Sequence, residues 1–396
     1  MRCLHVISSL NPSGGGPAEG VLGLTAASLR LGHEVEIATL DAPATEWGRH
    51  LPCAIHHLGP PHLGNYYYSP RLLPWLRRAA PRYDAVVVHG LWQYHSHAVR
   101  RALRGTGTPF FVFSHGMLDP WFKRTYPLKH LKKALYWLLG EYRVLRDARA
   151  VLFTCEQERL LAQHSFRPYR VTEAVTSFGS PAPSGDPLRQ RNAFIQAWPE
   201  LAGRRILLFL GRIHPKKGCD LLIEAFARAS ATHPDLHLVM AGPDATGWRT
   251  ELQRKATALG VERLTWTGML EGELKWGALR AAEAFVLPSH QENFGIAVTE
   301  ALSCGVPVLI SREVNIWREI DAVHAGLVGA DTLAGTTDLL QRWLQLDQLA
   351  RQRMARNGLQ LFNRCFQIEA AAQTLMQVLA AHINAPPLPG AASAVP

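Results

Sequence analysis

Two glutamates eight residues apart are the first candidates for chemistry in this sequence. Glu292 and Glu300 stand on either side of a short Asn-Phe-Gly turn in the stretch HQENFGIAVTEAL. A helix that begins near Gly295 would offer free backbone N–H groups and the positive end of its dipole, which together suit a phosphate. A carboxylate in contact with that phosphate would repel it. We therefore interpret the two glutamates as acceptors for sugar hydroxyls, one on each side of a diphosphate.

The spacing of the two glutamates fits this interpretation. Five helical residues rise about 7.5 Å, so Glu300 can reach a ribose while Glu292, in the loop before the helix, reaches a sugar beyond the phosphates. The alternative is a purely structural role. Glu292 would then be a solvated loop residue, and Glu300 would pair with a nearby arginine.

A diphosphate needs cations, and the segment GRIHPKKG supplies them. Arg212 and Lys217 lie five residues apart, directly after the apolar run RILLFL. Both can converge on a diphosphate and offset the charge that develops as it leaves. Structural salt bridges are the alternative for either residue. Lys216 is expected to point to solvent.

The N-terminal part carries a glycine loop, SLNPSGGGPAEG, in which Gly14, Gly15 and Gly16 precede a helix that starts near Pro17. Glycines allow the backbone to approach a ligand closely. The spacing does not fit G-x-G-x-x-G, because Glu19 holds its last position, and nothing resembles the P-loop pattern. A tight turn without a ligand explains the glycines equally well.

A histidine follows an apolar run in the same half of the chain. His115 comes after PFFVFS and before Gly116, at the carboxyl end of a predicted strand. His89, in VVVHGLW, has a similar place and a weaker case. A lone histidine is more often structural than catalytic. No Ser-His-Asp spacing or metal-ligand set competes for this position.

Short apolar runs alternate with helical patterns through both halves of the chain. In the first half the runs are LHVISSL, EVEIATL, DAVVVHG and PFFVFSHG, with a helix near residues 17–31. The second half repeats the alternation from RILLFLG to VPVLI, and helical sequence follows from about residue 338 to 383. Such runs are typical of buried parallel strands. A polar stretch near 179–200 is interpreted as a linker. The sequence therefore predicts two doubly wound α/β domains, 1–185 and 186–385, and a disordered tail at 386–396.

Charge is distributed unevenly along the chain. Residues 1–185 hold 21 Lys and Arg against 12 Asp and Glu, whereas the remainder holds 21 against 20. Between His115 and Arg146 seven cations are interleaved with aromatic residues: Lys123, Arg124, Lys129, Lys132, Lys133, Arg143 and Arg146. This mixture suits an anionic membrane surface or a phosphate-bearing lipid acceptor, and a solvated helix face is the alternative. No nucleic-acid-binding module is recognised.

The six dispersed cysteines and the absence of a long apolar run bear on location. The cysteines form no C-x-x-C pair and are interpreted as small buried hydrophobes in a reducing compartment. The segment MRCLHVISSL is interpreted as a first strand, and secretion is not expected. No apolar run approaches the ~18 residues that a membrane span requires. We expect a cytoplasmic protein, with peripheral association with the inner face of the membrane as an option.

Taken in order, these motifs resemble those of the retaining glycosyltransferases of family four, which have the GT-B fold. The resemblance extends over nearly the whole chain, from the GGG loop through His115-Gly116 and GRIHPKKG to PSHQENFG and the E-x7-E pair. It implies two Rossmann-like doubly wound parallel-sheet domains that face an interdomain cleft. The segment HGMLDPWFKRTYPLKHLKKALYW is similar, more loosely, to a subgroup associated with bacterial surface polysaccharide assembly. Asn293 departs from the Ser or Gly usual in the family, which could alter donor preference.

The resemblance also implies roles for residues of the C-terminal half. Glu300 would bind the nucleotide ribose and Glu292 would lie against the donor sugar. Arg212 and Lys217 would bind the diphosphate. The backbone of the following turn and helix start would complete the donor site; these residues are Asn293, Phe294, Gly295 and Ile296.

In the N-terminal half, the resemblance places His115 beside the reaction centre and Gly15 and Gly16 close to the donor. The implied reaction transfers a hexose-type sugar from a UDP- or GDP-sugar to a hydroxyl of a saccharide or polyprenyl-linked acceptor, with retention and by front-face displacement. It implies no metal and no further cofactor. A nucleotide-sugar epimerase and a non-catalytic, membrane-docking subunit of the same fold are the alternatives.

Overall fold

Two parallel β-sheets organise the chain, one in each of two units. The computed structural model describes residues 1–12, 16–244 and 246–384. The first unit comprises residues 1–179 and the chain from Ile368 onward, and the second comprises Ser180–Gln367. Each unit has its own buried sheet and its own flanking helices.

The first unit contains a seven-stranded sheet in the order β3-β2-β1-β4-β5-β6-β7. All neighbouring strands in it pair in parallel. The strands are β1 (Arg2–Ile7), β2 (Glu34–Thr39), β3 (Ile55–His57), β4 (Ala85–His89), β5 (Phe110–Phe113), β6 (Ala150–Phe153) and β7 (Glu173–Val175). The residues of β4, β5 and β6 are all buried, which explains their continuous apolar composition.

Helices connect and flank these strands. They are α1 (Gly16–Arg30), α2 (Leu72–Ala79), α3 (Tyr94–Leu103), α4 (Trp121–Thr125), α5 (Pro127–Tyr136), α6 (Tyr142–Asp147) and α7 (Glu156–Ala162), and the C-terminal helix Ile368–Asn384 also belongs to this unit. A π-helical turn at Trp137–Glu141 joins α5 to α6.

The second unit contains a six-stranded sheet in the order β10-β9-β8-β11-β12-β13, again with parallel pairs. Its strands are β8 (Arg205–Leu210), β9 (Leu236–Ala241), β10 (Leu264–Gly268), β11 (Ala282–Leu287), β12 (Val308–Ser311) and β13 (Gly326–Gly329). Its helices are α8 (Pro187–Ala197), α9 (Cys219–Ser230), α10 (Arg249–Ala258), α11 (Gly272–Ala281), α12 (Ile296–Ser303), α13 (Trp317–Ala322), α14 (Leu333–Gln345) and α15 (Gln348–Leu361). The two doubly wound parallel sheets predicted from the sequence are thereby confirmed.

The candidate loops lie at the topological switch point of each sheet. At this point successive strands of the chain begin to add on the other side of the first strand. In the first unit this point lies between β1 and β4, and in the second it lies between β8 and β11. Ligands of open parallel sheets bind at the carboxyl ends of such neighbouring strands. Arg212 and Lys217 follow β8, and Glu292 follows β11, so both loops emerge at the same edge of the second sheet.

One sequence interpretation was wrong in part. The polar stretch near 179–200 is not a linker throughout, because residues 187–197 form α8. Pro187 occupies the first turn, and the carboxylate of Asp186 accepts a hydrogen bond from the Arg189 N–H at 2.6 Å, which caps the helix. The helix packs against α11. Its weakly apolar sequence hid this contact.

The C-terminal helical sequence and the burial of the cysteines also differ in detail from what the sequence predicted. The helical sequence from about 338 to 383 is divided into three helices, α14, α15 and Ile368–Asn384, here called α16. All six cysteines are free, and half of them are fully buried. No helix within the described ranges is both long and apolar enough to cross a bilayer.

Candidate functional site

The loop after β8 presents two cations in different environments. The Arg212 side chain is exposed, and in the part of the chain that the structure describes no hydrogen bond or ion pair engages its guanidinium. Lys217 closes a short 3-10 turn, and its side chain is largely buried. Gly218 follows with φ 66°, and a Cβ there would meet the carbonyl oxygen of Pro288 at 2.2 Å. The loop can therefore take this course only with glycine at 218.

Hydrogen bonds tie this loop to the loop after β11. The Ser289 hydroxyl and the His290 N–H both donate to the carbonyl of Lys216, at 2.9 and 2.8 Å. The Glu292 N–H donates to the carbonyl of Glu313 at 2.8 Å, and the Asn315 N–H donates back to the carbonyl of Glu292 at 3.0 Å. Glu292 is consequently held by its own backbone on one side while its side chain faces the first loop.

Lys217 and Glu292 form an ion pair through a hydrogen bond from the ammonium to the carboxylate. Burial raises the pKa of Glu292, but the Lys217 charge and hydrogen bond, with help from Lys216 and the Asn293 N–H, more than offset it and leave the pKa below its usual value. The carboxylate is therefore ionised at neutral pH. Because an ammonium has three N–H donors, Lys217 can hold Glu292 and still donate to a ligand.

The start of α12 presents backbone donors beside this pair. Gly295 has φ 73° and caps the helix. The N–H groups of Ile296 and Ala297 have no acceptor within the described residues, as expected for a helix start. Phe294 is buried and meets Phe366 edge to face at 5.7 Å, so its side chain belongs to the core.

Glu300 lies one turn further along α12 and is engaged by a residue that the sequence did not point to. The Lys275 ammonium on α11 donates to Glu300 Oε1 at 2.7 Å, and the Glu300 side chain is only 7% exposed. Lys275 also lies over the Trp276 ring at 4.7 Å. The structural alternative named an arginine as the partner of Glu300, whereas the hydrogen-bond donor observed here is a lysine. Lys275 sits in the surface helix GELKWGAL, where nothing in its spacing marks it.

In the first unit, His115 follows β5 in a strained conformation that its neighbours stabilise. Its φ is 48°, which is uncommon for a residue other than glycine. The buried carboxylate of Glu158 accepts from the Ser114 hydroxyl at 2.5 Å and from the Gly116 N–H at 2.6 Å, on either side of the histidine. A buried carboxylate on α7 thus fixes the turn that carries His115. Nothing in the sequence around Glu158 marks it for this role.

Three histidine rings join end to end beneath this turn. His115 Nε2 lies 3.0 Å from His89 Nδ1, and His89 Nε2 lies 2.7 Å from His5 Nδ1. Burial, and then the charge of the nearby His95, lowers the pKa of His115 to about 3. Burial also lowers the pKa of His5 to about 4 and that of His89 well below its usual value. All three imidazoles are neutral at physiological pH.

The glycine loop is described only at its end. Gly15 lies outside the described residues, and Gly16 is the first residue of α1. On the other side of the loop, the Asp41 carboxylate accepts from the Ser9 hydroxyl at 2.6 Å and from the Leu10 N–H at 2.7 Å. These bonds fix the end of β1, where the loop begins.

Within the second unit the structure brings several predicted residues together. Lys217 and Glu292 are in direct contact, Arg212 shares their loop pair, and Glu300 and Ile296 share the helix that follows. His115 and Gly16 belong to the other unit. Within the described ranges no three His, Cys, Asp or Glu side chains are arranged to hold a metal ion.

Two family models match the chain, one for each unit. Residues 190–360 match "Glycosyl transferases group 1", and residues 15–175 match "Glycosyl transferase 4-like domain". Together they cover most of the sequence.

Known proteins resemble the chain over different lengths. A D-inositol 3-phosphate glycosyltransferase of Geodermatophilus obscurus is 34% identical over 209 residues, which are 48% of this chain and 44% of that protein. The matched part therefore spans less than half the length of that relative. A GDP-mannose:cellobiosyl-diphosphopolyprenol alpha-mannosyltransferase of Xanthomonas campestris is 25% identical over 86% of this chain and 87% of its own. The Anabaena protein HepE, solved with UDP and glucose, superimposes with a TM-score of 0.73 at 16% identity, over 96% of this chain and 100% of its own.

The two parallel-sheet domains, together with the likeness to the HepE structure, define a GT-B fold. The fold class predicted from the sequence is confirmed. Each domain matches a glycosyltransferase family model, and the Xanthomonas relative resembles the chain over most of its length.

Proposed function

We propose that this protein transfers a hexose-type sugar, with retention of anomeric configuration, from a nucleotide diphosphate sugar to a hydroxyl of a saccharide or lipid-linked acceptor. The observation that carries the proposal is the loop pair at the switch point of the second sheet. There the ion-paired Lys217, the exposed Arg212 and the start of α12 lie on neighbouring loops with Glu292.

The charges of this loop pair suit a diphosphate with a sugar on either side. Arg212 contributes a guanidinium without a protein partner among the described residues, and Lys217 keeps donors in excess of its bond to Glu292. The helix start adds N–H groups and a positive dipole end. The carboxylate of Glu292 stays ionised beside these cations and is the proposed acceptor for hydroxyls of the donor sugar.

Glu300 is the proposed acceptor for the ribose hydroxyls. It lies about 7.5 Å along α12 from the helix cap by the ordinary rise of an α-helix, so its carboxylate can reach the ribose hydroxyls of a nucleotide whose phosphates lie at the helix start. Its bond to Lys275 orients the carboxylate and offsets the cost of its burial.

The reaction we propose is a front-face displacement. The bond between the anomeric carbon and the phosphate oxygen breaks, the acceptor oxygen bonds to that carbon on the same face, and the acceptor proton passes to the departing phosphate. Arg212, Lys217 and the helix start would stabilise the charge that develops on the phosphate. The ion pair with Lys217 makes Glu292 a poor nucleophile, which supports this course over a covalent intermediate.

His115 is the proposed contact of the donor sugar from the first unit. The tight turn held by Glu158 and the neutral imidazole suit a hydrogen bond to a sugar hydroxyl rather than a charge on the phosphates. Asn293, Gly295 and Ile296 are proposed to complete the donor site, with the Phe294 backbone. Gly15 and Gly16 are proposed to approach the donor.

Likeness to other proteins supports the proposed classes of donor and acceptor. One relative is named for GDP-mannose and a diphosphopolyprenol acceptor, and one structural neighbour holds UDP and glucose. We propose a UDP- or GDP-hexose as donor, a saccharide or polyprenyl-linked saccharide as acceptor, and a role in cell-surface polysaccharide synthesis in the cytoplasm. No metal and no further cofactor are part of this proposal.

The test is a panel of UDP- and GDP-sugars, screened first by thermal stabilisation and then by mass spectrometry with saccharide acceptors. A ligand that binds the folded state stabilises it by an amount that grows with the ratio of its concentration to its Kd, so the true donor should raise the melting temperature. We expect a glycosylated acceptor whose new linkage has the configuration of the donor. An epimerised sugar nucleotide formed without acceptor, or an inverted linkage, would contradict the proposal.

A further inference from the structure

A continuous helical run from Pro127 to Asp147 has one face that packs against the first unit. Trp137 is buried, stacks on Phe166 with ring centroids 4.9 Å apart, and donates its indole N–H to the carbonyl of Pro168 at 2.9 Å. His130 stacks on the same Phe166 ring at 4.5 Å. Lys133 folds inward over the Trp92 ring at 4.6 Å. These contacts anchor the helix to the first unit through this face.

The opposite face carries five leucines, each of which is more than half exposed. They recur three, four, three and one residues apart, so they form one stripe along the helix. Their exposed fractions lie between 51% and 79%. We call them the leucine face: Leu128, Leu131, Leu135, Leu138 and Leu139. Isolated exposed apolar residues are ordinary, but a contiguous stripe of five marks an interaction surface.

The charged residues around the leucine face have a single sign at the surface. From Trp121 to Glu141 four cations are exposed: Lys123, Arg124, Lys129 and Lys132. The one acidic residue in this segment, Glu141, is buried and accepts from the Ser96 hydroxyl at 3.2 Å. The surface of the segment is therefore apolar and cationic, with no exposed carboxylate of its own.

We propose that the leucine face docks this protein on the surface of an anionic lipid bilayer. The five leucines would enter the boundary between head groups and acyl chains, and the flanking lysines and arginine would bind lipid phosphates. The inference goes beyond the proposed transfer reaction and does not depend on it. It assigns a place where an acceptor embedded in the membrane could be reached.

Charge complementarity favours a bilayer over a second copy of the chain. Two copies that joined through their leucine faces would bring their exposed cations close together, because the same cations flank the stripe in each copy. Like charges at that distance oppose association. An anionic membrane removes this repulsion and satisfies both features of the surface.

The first test is sedimentation of the full chain with vesicles of phosphatidylglycerol and phosphatidylcholine, compared with phosphatidylcholine alone. Leu128→Ser with Leu131→Ser should lower the partition coefficient for anionic vesicles by about tenfold or more, since apolar area that enters the bilayer is lost. The matched control is Leu188→Ser with Leu349→Ser, two leucines of similar exposure on α8 and α15. This control should bind vesicles as the wild type does.

The second test removes charge. Lys129→Gln with Lys132→Gln should weaken binding at low ionic strength and reduce its dependence on salt. Arg353→Gln with Arg356→Gln, which removes two exposed cations from α15, is the control and should change little. Circular dichroism and nucleotide binding should be the same for all four variants, so a failure of the proposed transfer reaction and a failure of docking are told apart.

Three outcomes would overturn the proposal. The first is a wild type that binds neither kind of vesicle at either ionic strength. The second is equal loss of vesicle binding in the leucine variant and its control. The third is a wild type that is dimeric by light scattering while Leu128→Ser with Leu131→Ser is monomeric, which would assign the leucine face to a second copy.

Discussion

Glu300→Gln tests whether the buried carboxylate on α12 binds a ribose or only pairs with Lys275. The substitution keeps the shape of the side chain and removes its charge. A hydrogen bond to a charged group contributes about 1.5–3 kcal/mol and a neutral one about 0.5–1.5, so we expect a loss of about 1.5 kcal/mol in binding, or roughly tenfold in Kd. The variant also leaves Lys275 unpaired. Because that lysine is 27% exposed, the cost to stability should be about 1–3 kcal/mol, below the value for a fully buried pair.

Isothermal titration with the preferred nucleoside diphosphate and with its 2′,3′-dideoxy form isolates the ribose contact. If Glu300 accepts from the ribose hydroxyls, the tenfold loss appears with the normal nucleotide and is absent with the dideoxy form, which lacks those hydroxyls. Lys275→Met is the matched control. It breaks the same ion pair and keeps the Glu300 charge, so discrimination between the two nucleotides should survive.

The opposite pattern would refute this reasoning. If Glu300→Gln weakens both nucleotides by the same factor, and Lys275→Met does so too, the carboxylate acts only by holding α11 and α12 together. The ribose role would then be withdrawn, and Glu300 would be a structural residue.

Three further predictions concern other parts of the fold. His115→Ala should lower turnover about a hundredfold or more in steady-state kinetics, because the proposed hydrogen bond to the donor sugar strengthens as charge develops in the transition state. Donor affinity should change little in titrations, and unchanged turnover would remove the role of His115. Gly260→Ala should lower the free energy of unfolding by about 1–2 kcal/mol, because alanine is strained at its positive φ. Gly218→Ala should lower it further, because the added Cβ also meets a backbone carbonyl. Equal losses of stability in thermal melts would contradict this. Burial lowers the pKa of His5 and the pKa of His95 to about 4. Between pH 6.5 and 4 these two histidines are therefore protonated in the unfolded chain but not in the folded one. Stability should therefore fall across that range as pH falls, by about 3 kcal/mol per histidine, and should be flat above it; denaturant titrations that show equal stability at pH 7 and 4.5 would contradict this.

Much of the second domain could be predicted because its signals are local. The runs RILLFL and AFVL are buried strands, and the residues that follow a buried parallel strand must emerge at its carboxyl end. The order of motifs along the chain then brings Lys217 and Glu292 to one edge of the sheet. Gly218 and Gly295 have the positive φ that their loops require. Such positions are visible in a sequence because few other residues fit them.

Contacts between distant segments could not be predicted in the same way. The pairing of Lys275 with Glu300 depends on how α11 packs beside α12, and nothing in the spacing of either helix encodes it. The row of His5, His89 and His115 depends on the order of β1, β4 and β5 across the sheet. Each histidine by itself has no signal beyond its residue type.

The linker prediction failed for a related reason. The segment that contains α8 is polar and rich in Pro and Gly at its start, which usually indicates irregular structure. Its helix is stabilised by a cap at Asp186 and by packing on α11, where a Cβ at Gly277 would meet the carbonyl oxygen of Gln190 at 2.2 Å. A close helix contact through a glycine leaves little apolar pattern in the sequence.

The most direct test asks whether the loop pair binds a diphosphate. It compares the affinity for a nucleoside diphosphate with the affinity for the matching nucleoside. Both affinities are measured by titration, in the wild type and in the double variant Arg212→Gln with Lys217→Gln. If the loop pair holds a diphosphate, the wild type should bind the diphosphate much more tightly. The double variant should lose on the order of a hundredfold or more of that affinity and bind the nucleoside unchanged. A double variant that binds the nucleoside diphosphate as tightly as the wild type would contradict the account.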